Sequence, residues 1–358
     1  SLTFLGFLAL ADPVRPGASA ALVRLRQAGI HLVLVTGDHP GTALRIAGEL
    51  GLADEADPTV VSGNQIDGLA PEELAAAVTG SRVFARVTPS QKALLVSRLQ
   101  AAGFVVGVTG DGSNDAAAIR RAEVGVALGA ASAPAARHAA DLILLDEGIE
   151  ALVRAVAEAR STWMAVRDAV GLLVGGNLGE VAFILGGTLV GGSAPLLPRQ
   201  LLLVNLLTDV LPALAIAGRP PPGRDVGALL ASGPDALFGE ALERLIRRRA
   251  LCTGAGSTLA WLAFRPIASA GRARTVGLVA LVGGQLGQTL AIGRGSPAVL
   301  VAMGVSAGAL ATIVSTPGLS HLFGCRPLGP VGWTAGIGGA LAATGAALLL
   351  GAGDDLRR

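Results

Sequence analysis

The chain is poor in charge, in aromatic residues and in cysteine. Only 15% of its 358 residues are Asp, Glu, Lys or Arg, tyrosine is absent, tryptophan occurs three times and cysteine twice. A net charge of only +2 suggests no nucleic-acid partner. Cys252 and Cys325 lie in or beside different apolar segments, so they read as unpaired structural thiols rather than a disulfide. Three tryptophans leave only a thin aromatic belt for a membrane protein. No signal peptide is visible and residue 1 is Ser, so the chain reads as cut at its start.

What is present is apolar. Hydrophobic residues make up 51% of the chain, mean hydropathy is +0.60, and there are 51 glycines, too apolar for a soluble enzyme of this size. The excess is uneven. Residues 1–150 alternate charged and apolar segments like a soluble α/β domain, whereas 151–358 read as a membrane domain. Six stretches there approach or reach bilayer-crossing length: about 163–191, 199–218, 249–265, 275–293, 297–317 and 331–352. The third is short, with Arg265 placed to snorkel at its end. Arg219, Arg224, Arg244, Arg247, Arg248, Arg249, Arg294, Arg357 and Arg358 fall on one side, against Arg199, Arg265, Arg272, Arg274 and Arg326 on the other. This bias puts the soluble domain and the tail on the cytoplasmic face. The Ala/Gly/Arg-rich composition suggests a GC-rich bacterial genome, hence a multi-pass protein of the plasma membrane.

In the soluble domain, a pair of apolar runs ends on Thr-Gly-Asp. These are Val33-Leu-Val-Thr36-Gly37-Asp38 and Val105-Val-Gly-Val-Thr109-Gly110-Asp111-Gly112-Ser113-Asn114-Asp115. Both runs read as buried parallel strands, followed by helical stretches at Ala43–Leu50 and Ala116–Ala122. Asp38, Asp111 and Asp115 then stand at carboxyl ends of strands, where a doubly wound sheet binds its ligands. Clustered carboxylates suit Mg²⁺ and Gly-rich backbone amides suit phosphate oxygens, so the chemistry indicated is phosphoryl transfer. The single lysine, Lys92, stands against 27 arginines, just before a predicted helix over Ala93–Ala101. A compact ammonium approaches a phosphoryl oxygen as a point charge more readily than a guanidinium does.

The membrane domain carries its own polar set. Asn177 and Glu180, three residues apart, share a helix face in the first span. Asn205, Thr208 and Asp209 do the same in the second, and Pro212 cannot return an N–H to the Thr208 carbonyl. Two carboxylates at membrane depth with these oxygens make a cage for a hard cation rather than inter-helix polar glue.

The motifs Asp12-Pro-Val-Arg15-Pro, Thr36-Gly-Asp38, Phe84-Ala-Arg86-Val-Thr-Pro-Ser-Gln-Lys92 and Thr109-Gly-Asp-Gly-Ser-Asn-Asp115 resemble, in order and spacing, the phosphorylation domain of P-type cation-transporting ATPases. Val124-Gly-Val-Ala-Leu-Gly129 and Ala140-Asp141-Leu-Ile-Leu-Leu145 continue the resemblance. It implies a Rossmann-like haloacid-dehalogenase fold followed by an all-α bundle of six membrane helices, with Mg²⁺ and ATP as cofactors. Asp111 is then the Mg²⁺ ligand, supported by Asp115 and Asn114. Lys92, Thr36 and Gly37 hold the transferred phosphoryl group. Asp38, Asp12, Arg15 and Arg86 fall to the hinge side or the nucleotide.

Asn177-Leu-Gly-Glu180 and Gln200–Pro212 resemble the fifth and sixth membrane helices of calcium-type pumps, with Thr208 and Asp209 matching ion ligands. Gln285 stands where many such pumps place Glu. One charge is missing there, so Ca²⁺ is the first expectation, but a single-ion site or Mn²⁺, Mg²⁺, Na⁺ or H⁺ fits equally. The sequence contains no Asp-Lys-Thr-Gly phosphorylation motif, and neither a nucleotide-binding nor a Thr-Gly-Glu actuator domain is recognisable. The chain therefore looks like the C-terminal portion of a pump, expected to be inactive without its N-terminal portion. The alternative is a truncated or split non-catalytic relic that acts as a membrane binding partner.

Overall fold

Short β-branched runs become strands here, and the helices between them make the crossovers that parallel pairing demands. The computed structural model describes residues 5, 13–53, 60–80, 83–218, 226–231, 239–293 and 295–355. Two units emerge, one drawn from residues 1–158 and 225–232, the other from 159–224 and 233–358.

The first unit holds two three-stranded sheets, both parallel. β1 (Leu34–Val35) and β2 (Val60–Ser62) flank β3 (Val83–Ala85), with Leu34 opposite Val83 and Val60 opposite the same residue. In the other sheet β4 (Gly107–Gly110) and β6 (Leu142–Leu144) flank β5 (Val124–Leu128). Helices α1 (Ala18–Gln27), α2 (Pro40–Glu49), α3 (Gly63–Gly68), α4 (Pro71–Gly80), α5 (Pro89–Ala101), α6 (Ala116–Arg121) and α7 (Pro134–Ala139) surround these strands. Ile66, Leu74, Phe84 and Leu95 form the core beside the first sheet, and Ile119, Ala136 and Ala139 a smaller one beside the second.

The Rossmann-like parallel topology is as expected, but the two Thr-Gly-Asp strands are not buried. The central strand β3 is fully buried and β5 largely so, whereas β1 is half-buried and β4 alternates between exposed and half-buried. Val105, leading into β4, is 83% exposed. Each of these strands is the edge of its sheet, with one side of its backbone unpaired to any described strand.

The second unit is helical. It contains α8 (Ile149–Gly191, from residue 159 onward), α9 (Pro198–Asn205), α10 (Leu211–Ala217), α11 (Glu240–Phe264), α12 (Ala270–Gly293), α13 (Pro297–Ser315) and α14 (Pro330–Asp355). Five segments are long and apolar enough to cross a membrane: Ile149–Gly191, Pro198–Ala217, Ala270–Gly293, Pro297–Ser315 and Pro330–Gly351. The third expected span lies in α11, which fails that test because Arg244, Arg247, Arg248 and Arg249 occupy its first half.

Glycine governs how these helices approach. Gly171, Gly175 and Gly179 recur at every fourth residue of α8. A Cβ at these positions would lie 2.6 Å from Leu245 Cδ2, 2.9 Å from Arg249 Cδ and 2.9 Å from Thr253 Cβ. The stripe therefore brings α11 close against α8, as small residues do where lipid offers no hydrophobic driving force. Gly256, Gly283 and Gly339 do the same among α11, α12 and α14, each with a would-be Cβ within 2.8 Å of an alanine methyl. Phe183 and Trp261 close the core edge to face, centroids 6.5 Å apart. Arg265 lies exposed with its guanidinium 5.2 Å from the Trp261 ring centre. Both cysteines are free and buried.

Candidate functional sites

In the first unit the turn after β1 is stitched to the turn after β3. Thr36 N donates to Phe84 O (2.9 Å), Val87 N to Thr36 O (3.0 Å) and Arg86 N to Asp38 O (3.0 Å). The Thr36 hydroxyl donates to Asp38 Oδ2 (2.9 Å) and accepts from the Asp38 amide (3.1 Å), so these residues first of all shape a turn. Gly37 and Asp38 are exposed. Arg86 has φ +51°, the one described non-glycine residue in the left-handed region. Strain of that kind clusters at functional sites. Gly63 supports it: a Cβ there would lie 2.4 Å from Arg86 O.

The helix carrying Lys92 starts four residues ahead of the expected Ala93. Thr88 caps α5, accepting from Gln91 N (3.3 Å), while Gln91 Oε1 accepts from Thr88 N (3.0 Å) and Pro89 takes the first helical position. Lys92 is thus fixed in the first turn of α5, and its Nζ donates to Asp115 Oδ1 at 2.7 Å. Both side chains are largely shielded, at 17% and 19% exposure. Asp115 Oδ2 accepts from Gly112 N (3.3 Å), and a Cβ on Gly110 would lie 2.7 Å from that oxygen. The glycines of this loop therefore make room for the carboxylate.

Asp111 differs. Its backbone carbonyl accepts from Ala133 N (2.7 Å), but its carboxylate is exposed and without a protein partner among the described residues, as is the Asn114 amide. Arg15 lies elsewhere in the unit, bonded to Glu147 through Oε2 (2.9 Å) and the backbone carbonyl (3.0 Å). Asp12 lies outside the described residues. Among the described residues no three His, Cys, Asp or Glu side chains converge to cage a metal alone. The exposed carboxylate of Asp111, with the shielded one of Asp115 four residues on, suits Mg²⁺, which commonly takes one or two from protein and fills its shell with water and phosphate.

The second unit gathers a buried polar cluster. Glu180 of α8 is 6% exposed, Gln285 of α12 1%, and Gln285 Nε2 reaches both Glu180 Oε1 (3.2 Å) and Gly176 O (3.3 Å). Between α9 and α10 the chain forms one π-helical turn over Leu206–Val210, just ahead of Pro212. Single π turns are frequent at functional sites. Thr208 is buried there, with its hydroxyl within reach of Val204 O (2.9 Å) and Asp209 Oδ1 (3.1 Å). Asp209 is near enough to Glu180 and to Arg249 for their charges to act on one another.

Two expected members stand apart. Asn177 and Asn205 are exposed, while Glu180 and Thr208 three residues on are buried. A three-residue step turns a helix 60° off, and α8 packs along the line of Gly175, Gly176 and Gly179, leaving Asn177 outside it.

Arg249 is legible in the sequence only as one of a run of loop charges. It is 2% exposed, its stem lies over Gly175, and its Nη2 donates to Gln285 O (3.0 Å) and Thr289 Oγ1 (3.0 Å). The signal that could have found it is spacing: Leu245, Arg249 and Thr253 recur at four-residue intervals that match the α8 glycines.

Comparisons with known proteins agree with this division. Residues 2–123 match the haloacid dehalogenase-like hydrolase family and residues 193–350 the cation transporting ATPase C-terminus. A probable cation-transporting ATPase I of Mycobacterium leprae is 43% identical over 367 residues, which is 97% of this chain and 23% of that protein. Calcium-transporting ATPase 1 of Bacillus cereus is 38% identical over 62% of this chain and 25% of its own length. A probable cation-transporting ATPase F of Mycobacterium bovis is 40% identical, again over 62% and 25%. The chain spans about a quarter of the length of these curated relatives.

Proposed function

Because the chain belongs to the P-type cation-transporting ATPase family, we propose that it supplies the Mg²⁺ and phosphate site of an ATP-driven pump and much of its ion site. The observation that carries this reading is the shielded Lys92–Asp115 pair beside the unpartnered, exposed carboxylate of Asp111. Asp111 and Asp115 hold Mg²⁺, with Asn114 supporting the site, and the ion supplies charge neutralisation for a phosphoryl group. Lys92 and Asp115 fix each other, so an ammonium stands ready for phosphoryl oxygens. Thr36 and Gly37 offer hydroxyl and amide donors at the neighbouring turn. Asp38, Arg86, Arg15 and Asp12 serve ATP binding or the hinge.

The chemistry is completed by a phosphorylated Asp, a nucleotide-binding domain and an actuator domain in the rest of a longer pump, without which this stretch turns nothing over. In the bundle, Glu180, Thr208, Asp209 and Gln285 receive the transported cation. Ca²⁺ is the first candidate, in line with the Bacillus cereus relative's name, and Mn²⁺, Mg²⁺, Na⁺ and H⁺ are the others. The protein is a multi-pass membrane protein; the bacterial plasma membrane, with the sheet unit cytoplasmic, is its proposed setting.

The test uses membranes containing the full-length protein, labelled from ATP across a panel of these cations. One cation should raise a hydroxylamine-sensitive phosphoenzyme, and Asp209→Asn should abolish that dependence while sparing nucleotide binding. Unchanged ion dependence in the variant refutes the assigned ion site. A phosphoenzyme on this polypeptide alone refutes the dependence on the remaining domains.

A further inference from the structure

Among the described residues Arg249 is the one guanidinium buried in the polar cluster, and the cluster does not satisfy it. Nη2 has two acceptors, Gln285 O and Thr289 Oγ1, but Nε and Nη1 are buried with no partner among the described residues. Buried donors without acceptors are costly and call for an explanation. The fold nevertheless makes space for this side chain: Gly175 is where a Cβ would strike Arg249 Cδ at 2.9 Å, Cβ at 3.0 Å and Cγ at 3.2 Å. Gln285 joins the charges, since its backbone oxygen takes Arg249 and its side-chain amide takes Glu180.

We propose that Arg249 is the charge-selectivity residue of the cation site, a resident positive charge that offsets one of the two carboxylates and limits the site to one cation of low charge. This rests on the reading of Glu180 and Asp209 as the transported-cation site, and it moves the preference among the candidate cations from Ca²⁺ to a monovalent ion. With both carboxylates ionised and Arg249 protonated, the three groups sum to −1. A monovalent ion neutralises them, whereas a divalent ion leaves a positive excess in a low-dielectric setting where charge imbalance is expensive. A second cation meets a site already neutral. With Nε and Nη1 bonded to no described residue, the guanidinium forms no direct ion pair there, and its charge acts on the cluster as a whole.

An electrostatic role has a signature that a packing role lacks. Removing a fixed charge changes the binding free energy in proportion to the charge of the ion. A gain on the order of tenfold for a monovalent cation therefore becomes its square, about a hundredfold, for a divalent one. The measurement is equilibrium binding of radiolabelled Na⁺ and of radiolabelled Ca²⁺ to the purified full-length protein. Arg249→Gln should tighten both, Ca²⁺ by the square of the Na⁺ factor, and Arg249→Lys should stay near wild type. Thr289→Asp keeps the arginine and puts a carboxylate in place of the hydroxyl that now lies 3.0 Å from Nη2. It should reproduce the Arg249→Gln pattern even if that variant does not fold. Equal factors for the two ions, or none, with Asp209→Asn still abolishing binding, overturn the role of Arg249 and leave the site standing. Binding that survives both Asp209→Asn and Glu180→Gln, or a wild type that binds none of the candidate cations, overturns the site itself.

Discussion

In the sheet unit the chemistry-bearing side chains stand open apart from the shielded Lys92–Asp115 pair. Asp38, Asp111 and Asn114 are exposed, and their strands β1 and β4 lie at sheet edges. In the bundle the corresponding groups are sealed, with Glu180, Gln285 and Arg249 at 6%, 1% and 2% exposure and bridged by direct hydrogen bonds. The packing differs in the same sense. Branched and aromatic side chains such as Ile66, Leu74 and Phe84 fill the core beside the first sheet, whereas glycines set the helix spacing in the bundle. An open side chain without protein partners, such as the Asp111 carboxylate, has little structural duty and can be changed at little cost in stability. A sealed site is dehydrated and already assembled, so its residues also belong to the packing.

The largest expected effect tests that contrast at its open end. Asp111→Asn should lower cation-stimulated ATP hydrolysis of the full-length protein by on the order of 10²- to 10³-fold. Because the carboxylate is exposed and makes no hydrogen bond or ion pair with a described residue, the thermal midpoint should move by no more than about 0.5 kcal/mol equivalent. A variant with normal turnover, or one that melts early, breaks the comparison. At the sealed end the expectation inverts. Gly175→Ala forces a Cβ to within 2.9 Å of Arg249 Cδ and should cost about 1–3 kcal/mol in detergent unfolding. Gly304→Ala and Gly308→Ala on α13 meet nothing within 4 Å, so they should be neutral or stabilising by up to about 1 kcal/mol. Equal gains at all three positions, as helix propensity alone would give, would mean that the approach of α11 does not depend on Gly175.

The same contrast explains which features are legible in the sequence. The ends of the apolar stretches at Gly191 and Gly293 coincide with helix ends, because long hydrophobic runs and their polar breaks are local properties. The Thr-Gly-Asp turns at strand ends are legible for the same reason. The burial of β1 and β4 is not, because burial depends on what covers a strand rather than on its own residues. Asn177 and Asn205 illustrate a related limit. Helical spacing places residues near one another on a wheel, but only the neighbour that covers the wheel decides which of them is inside. Arg249 shows the limit in reverse, since a charge in an Arg-Arg-Arg run reads as solvated until a glycine on another helix opens a place for it. The start of α5 lies four residues ahead of its expected place although its signal is local. Thr88-Pro89-Ser90-Gln91 is a capping box, worth about 1 kcal/mol at Thr88, and Thr88→Ala should lower the stability of the sheet unit by that amount in urea.

The smallest effect lies at the surface between β4 and β5. Glu123 accepts from Val106 N (2.8 Å) and from Gln100 Nε2 (2.8 Å). The Val106 amide, first among these, holds its carboxyl below the usual value of 4.5. A folded-state value below the unfolded one means that the unfolded chain binds the proton more readily. The contribution of Glu123 is therefore fully present above about pH 4.5 and is lost as pH falls through the lower folded value. Glu123→Gln keeps the shape and an acceptor oxygen but not the charge, so it cannot lose what it never had. Wild type should be slightly the more stable at neutral pH, and the difference in urea midpoint should close as pH falls below about 4.5. A difference that stays constant as pH falls well below 4.5 would show that the Val106 bond depends on the oxygen alone, and that this end of β4 is held by geometry rather than by charge.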